Sequence, residues 1–140
     1  MSHIIGYAPG VFDLFHIGHL NLLKSARAQC DHLVVGVLTD TAAEHKGHRP
    51  AVPLEERLEI VRSMRYADTV VVDHSLDKMQ AWQQVGFHRL FKGDDWQGTD
   101  LASRWETDFA TVGVDVVYLP YTGHVSSTRI REMLTPLGTA

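Results

Sequence analysis

Continuous apolar runs alternate with segments in which apolar residues recur every three or four positions, from one end of the chain to the other. The continuous runs cover residues 4–8, 32–38, 69–72, 87–91 and 114–119 and predict five strands. Between them, Leu20, Leu22, Leu23 and Ala26 predict a first helix. Pro53 opens a second, with Glu55 and Glu56 near its positive end and Leu54, Leu58, Ile60 and Val61 on its apolar face. Ser75 or Asp77 caps a third that runs to about Val85 and stops at Gly86. Residues 100–110 predict a fourth, with Leu101, Trp105 and Phe109 at spacings of four. Ser126 caps a last helix that turns Ile130, Met133 and Leu134 inward. Residues 41–52 and 120–125 are polar and read as loops.

Strands that are apolar without alternation are buried on both faces, the mark of a parallel sheet. Five β-α steps therefore predict a Rossmann-like α/β fold, a five-stranded parallel sheet with helices on both faces, as one domain over residues 1–140. The distinctive polar stretches, 9–19, 39–49, 92–96 and 120–129, each follow a strand. In such a sheet they gather beyond the carboxyl ends of the strands, where ligands bind.

Composition narrows the field. A length of 140 residues suits one core, and 44% hydrophobic with 21% charged residues is ordinary for a globular chain. A net charge of −4 argues against broad nucleic-acid binding and leaves room for one local anion site. A single cysteine fits a reducing compartment. No run is long and apolar enough for a signal peptide or a membrane span, so a cytoplasmic protein is expected.

The candidate chemistry centres on Gly10-Val11-Phe12-Asp13-Leu14-Phe15-His16-Ile17-Gly18-His19, a turn between a strand and a helix. A helix N-terminus offers unpaired N–H groups and positive potential, which suits a phosphate. His16 and His19 lie three apart, on one face of a first helical turn, with Gly18 leaving the backbone open between them. A metal reading lacks further ligands. Ser126, Ser127 and Thr128 stand at a second helix start. There is no Gly-x-Ser-x-Gly elbow and no P-loop.

The first motif resembles the signature of the nucleotidyltransferase superfamily that carries His-x-Gly-His. Two further motifs resemble it in the same order: Lys92-Gly93-Asp94-Asp95-Trp96 and Val125-Ser126-Ser127-Thr128-Arg129-Ile130-Arg131. Within the superfamily the chain is most similar to the glycerol-3-phosphate cytidylyltransferases. The resemblance implies transfer of CMP from CTP to a small alcohol phosphate, glycerol 3-phosphate in that family, with release of pyrophosphate. It implies Mg²⁺ carried with the triphosphate, no metal site of the protein's own, no nucleic-acid or membrane partner, and a homodimer. An adenylyltransferase acting on a sugar or flavin-type phosphate is the neighbouring alternative, since residues 46–50 and 53–57 also resemble those enzymes. A silent nucleotide-binding module is the alternative from another class.

By the same resemblance His16, His19, Lys46 and Arg129 are the catalytic candidates. Val11, Phe12, Asp13, Arg65, Asp94, Thr122, Ser126, Ser127, Thr128 and Arg129 join the two histidines in binding nucleotide. Tyr121 stands where the family has arginine and is placed to stack on a base; His124 restores some positive charge. Lys46 and Lys78 match lysines for the acceptor, with His48 replacing another. Arg129 is expected at the phosphates and Arg131 toward solvent. Arg65 is the functional arginine, while Arg57 is left between function and a solvated face. Asp13 either orients the turn or merely forms it. Trp96, Trp82 and Trp105 are read as packing.

Overall fold

Every continuous apolar run forms a strand in the computed structural model, which describes residues 3–120, 122 and 126–138. The strands are β1 (Ile5–Gly10), β2 (His32–Leu38), β3 (Thr69–Asp73), β4 (Arg89–Gly93) and β5 (Asp115–Leu119), all parallel, in the order β3-β2-β1-β4-β5. The helices are α1 (Ile17–Arg27), α2 (Asp40–Lys46), α3 (Leu54–Arg62), α4 (Lys78–Val85), α5 (Asp100–Ala110) and α6 (Ser127–Gly138). The chain winds outward from β1 through β2 to β3, then returns to pair β4 with the free side of β1. That reversal puts the topological switch point between β1 and β4.

The pleat sends neighbouring residues to opposite faces. Ala8, Val35 and Phe91 pack with Leu23 and Ala26 of α1 and with Leu58 and Val61 of α3. Tyr7, Val34 and Leu90 pack with Ala81 of α4 and with Trp105 and Phe109 of α5. Helices thus cover both faces, as the apolar runs predict.

Four local expectations are corrected. The 41–52 loop holds α2, whose N-terminus is capped by the Thr39 hydroxyl on the Ala42 N–H at 3.1 Å. Its buried residues are the alanines Ala42 and Ala43, too small and too few to print an apolar period. Pro53 caps α3 rather than opening it, and Ile60 is exposed. In α6, Met133 (67% exposed) and Leu134 (54%) face outward instead of inward, because Ser127, Thr128 and Arg131 hold the inner side.

The sequence leaves Arg57 open between a functional role and a solvated face. It is no solvated residue but fully buried, donating to the carbonyls of Val52 (2.8 Å), Val11 (2.8 Å) and Leu38 (2.7 Å) and pairing with Asp40. A guanidinium has five donors in a fixed fork. Here it binds the segments following β1 and β2 into one frame beneath the carboxyl edge of the sheet.

Candidate active site

A pocket of about 380 Å³ opens at that edge, over the switch point. Its walls come from the end of β1 and the turn into α1, from residues between Ala43 and Pro50 after β2, from the end of β4 through Trp96, and from Pro120, Thr122, Ser126, Ser127 and Thr128 after β5, with Arg131. These are the polar stretches expected to converge.

The turn leading into α1 is forced by its own side chains. Phe12 and Leu14 sit at φ 54° and 50°, a left-handed conformation uncommon for residues other than glycine. Phe12 is buried and holds its ring 5.5 Å from that of His19, with Phe15 at 5.1 Å. His16 is the N-cap of α1 and accepts the Gly18 N–H on Nδ1 at 3.0 Å. His19 reaches back and accepts the His16 N–H on its own Nδ1 at 3.2 Å. The pair forms a reciprocal capping box in imidazole form, with rings stacked at 3.9 Å. A backbone N–H can only donate, so both Nδ1 atoms are unprotonated and both Nε2 atoms carry hydrogen. Burial lowers the His16 pKa. Burial first, then the neighbouring His16, lowers that of His19 to about 3, against a smaller raising effect of Asp13. The pocket therefore meets two neutral N–H donors at a helix N-terminus.

Asp13 orients the site rather than simply turning the chain. Its buried carboxylate accepts the N–H groups of Ala51 and Val52, both at 2.9 Å, and pairs with Arg131 at 2.9 Å. Its carbonyl accepts the Ser127 hydroxyl. Ser126 caps α6 through the Arg129 N–H at 3.0 Å, as expected. Ser126, Ser127 and Thr128 line the pocket, and so does Thr122, which accepts from the Asn21 amide at 3.2 Å.

Several assignments move. Arg131, expected toward solvent, lines the pocket, whereas Arg129 is exposed and does not. Residues 127, 128 and 131 share one side of a helix and residue 129 lies off it. Arg65 is exposed in the connection entering β3, at the edge of the sheet opposite the pocket. Asp94 is exposed and off the pocket, where its neighbour Asp95 stands. Lys78 is buried and bound to Asp73 at 3.0 Å, which also accepts the Tyr7 hydroxyl at 2.7 Å. Tyr121, Gly123, His124 and Val125 lie outside the described residues.

Lys46 and His48 do line the pocket, and Arg49 stands beside them facing Glu44 at 3.7 Å. The residue missed by sequence reasoning is Lys92. It is buried at the end of β4, with its ammonium 5.1 Å from the Trp96 ring centre and 5.2 Å from that of Trp105. A lysine directly after the apolar pair Leu90-Phe91, inside a strand, is the signal that could have found it. Trp105 and Trp82 are packing, as read; Trp96 packs on Trp105 at 5.6 Å and lines the pocket as well. Among the described residues no three His, Cys, Asp or Glu side chains come together as a metal cage. No helix among them is long and apolar enough to cross a membrane.

A family model described as cytidylyltransferase-like matches residues 7–133. The glycerol-3-phosphate cytidylyltransferase of Bacillus subtilis (strain 168) is 34% identical over 140 residues, covering 98% of this chain and all of its own. An FAD synthase of Pyrococcus horikoshii is 32% identical over 136 residues, covering 91% of this chain and 90% of its own. Among solved structures, a lipopolysaccharide core biosynthesis protein from Thermoplasma volcanium superposes with a TM-score of 0.73 at 28% identity, over 87% of this chain and 98% of that one. With its His-x-Gly-His helix start and its pocket over the β1/β4 switch point, this chain belongs to the cytidylyltransferase-like family of nucleotidyltransferases.

Proposed function

We propose that the protein transfers CMP from CTP to glycerol 3-phosphate, releasing pyrophosphate. The observation that carries this is the pair of neutral imidazole donors at the N-terminus of α1, facing a pocket whose other wall holds Lys46 and Lys92. End-to-end similarity to a glycerol-3-phosphate cytidylyltransferase supports the choice of substrates.

In the reaction an acceptor phosphate oxygen attacks the α-phosphorus of CTP and the bond to the bridging oxygen breaks. The attacking group is already an anion, so no general base is needed. Charge grows on the α-phosphate oxygens and on the leaving pyrophosphate. The Nε2–H groups of His16 and His19, fixed by the capping box, are donors in place before the charge appears. Ser127, Thr128 and Arg131 stand on the same pocket and suit the pyrophosphate end. Asp13, which holds Arg131 and the 51–52 segment at once, keeps the two substrates in one frame. Mg²⁺ belongs to this reading as the triphosphate's companion. Asp13 is committed to its amides and arginine, and the described residues form no metal cage, so no step here runs through the ion. A cytoplasmic setting and a homodimer complete the reading, supported by the family resemblance and, for the dimer, by the outward Met133 and Leu134 of α6.

His16→Ala and His19→Ala should each cut turnover by about 10²-fold or more, the scale of losing one preorganised donor. Pyrophosphate release from CTP and glycerol 3-phosphate measures it. Near-normal turnover in either variant contradicts the assignment. Adenylyl transfer is the second reading, favoured by the FAD synthase relative. Offering each nucleoside triphosphate in turn to the wild-type enzyme decides between them.

A further inference from the structure

Lys46, Lys78 and Lys92 lie close enough for their charges to act on one another, and they are not equivalent. Lys78 is neutralised by Asp73. Lys46 and Lys92 are in no ion pair or hydrogen bond among the described residues. Both ammonium groups instead lie against the same indole, at 5.3 Å and 5.1 Å from the Trp96 ring centre. Lys92 is only 6% exposed, and what remains open faces the pocket.

An aromatic face offsets part of the cost of a buried cation, but it does not neutralise it. Burial, and then the charges of Lys46 and Lys78, push the Lys92 pKa well down, against smaller opposite effects of Asp95 and Asp73. A buried, unpaired ammonium beside other cations is a site lacking its anion. Two amines that make no ion pair among the described residues suit one phosphomonoester, whose charge of close to minus two at neutral pH favours the protonated form of both. The histidines and the α6 start, on other walls of the pocket, leave this corner to the acceptor.

We propose that Lys92, together with Lys46, binds the phosphate of the acceptor and selects a phosphomonoester dianion over uncharged or singly charged alcohols. The assignment rests on the nucleotidyl-transfer reading for the word acceptor; the anion site itself is testable without any turnover. Lys46 was expected here from the family resemblance. Lys92 comes from its burial, its lack of a partner and its place on the pocket.

Inorganic phosphate is titrated into the nucleotide-free wild type, Lys92→Met and His16→Gln, following tryptophan fluorescence, since Trp96 floors the site. Methionine keeps the length and apolar stem that pack on the two indoles. Phosphate should bind K92M about tenfold to a hundredfold more weakly than wild type and bind H16Q as wild type does. In steady-state kinetics K92M should raise the KM for glycerol 3-phosphate by a similar factor and leave that for CTP unchanged. K92M should also melt at a higher temperature than wild type, because a buried amine that makes no ion pair or hydrogen bond among the described residues is replaced by an apolar group. Should K92M fail to fold, Lys46→Met makes the same comparison from the other side of the ring. Unchanged phosphate affinity in K92M, or affinity lost in H16Q and kept in K92M, overturns the proposal. If the phosphate results hold and the wild type turns over no phosphorylated acceptor with any nucleoside triphosphate, the anion site stands and the reaction assigned above falls.

Discussion

A histidine whose Nδ1 is held by a backbone N–H has one proton to offer and one direction in which to offer it. His16 and His19 are both in this state. Protonating either ring at Nδ1 would break its cap, so the charge state and the helix start are one property. The sign of the pH effect follows. Both folded-state pKa values are depressed, that of His19 to about 3. Below the ordinary histidine value of about 6.5 the unfolded chain takes up protons that the folded chain refuses. Stability from this source is complete above that pH and is lost as pH falls toward 3. By NMR, the His19 ring should show no titration between pH 7 and 5; a midpoint above 6 contradicts the arrangement. The arginines give a second residue-scale test. Arg131→Gln should weaken CTP binding about tenfold or more and lower stability, because it strips Asp13 of its charge partner. Arg129→Ala should change neither, as it points off the pocket. Nucleotide titration of both variants compares them. At this scale the sequence was only partly legible. The His-x-Gly-His residues and Ser126 could be placed because their roles are local, set by three or four neighbours. Arg57, Arg65, Arg131, Lys78 and Lys92 could not, because what decides a long cation's role is the partner it meets across the fold.

At the scale of elements, α1 begins where it does because the histidines replace the usual hydroxyl or carboxylate cap. Gly18 is the space this requires. A Cβ there would lie 2.8 Å from Cε1 and 3.0 Å from Nδ1 of His16. Gly18→Ala should therefore turn the His16 ring out of its cap and reduce turnover by about 10²-fold, with the sheet intact, as activity and far-UV circular dichroism together would record. Wild-type activity in G18A would mean that the ring geometry is not required. Strands were legible to within two residues at each end, β2 to the residue, because burial on both faces keeps its run apolar from Leu33 to Leu38. Helices were less so. α2 hides behind two alanines, and α6 reverses the expected face because its inner side serves the pocket, not the core.

The whole molecule is acidic, yet the crevice at the carboxyl edge of the sheet collects Lys46, Lys92 and Arg131. Convergence of the four polar stretches was legible from topology alone, since parallel strands deliver every following loop to the same edge. The switch point was not, because strand order is fixed by which runs pair, and apolar runs of similar make-up do not encode that. The strand order also sets a timetable. β1 is synthesised before β2, β3 and β4 and is closed on its second side only by β4, where Gly6 meets Arg89 and Tyr7 meets Leu90. On the ribosome, β1, β2 and β3 can assemble with α1 and α3 long before that partner arrives. For that interval the most central strand of the enzyme is an open edge, and α5, which helps cover the Tyr7 face, is still to come. An interrupted chain ending before Arg89 would keep that edge, a template for pairing with its own kind. The strand that organises catalysis in the finished protein is thus the one most in need of protection while the protein is being made.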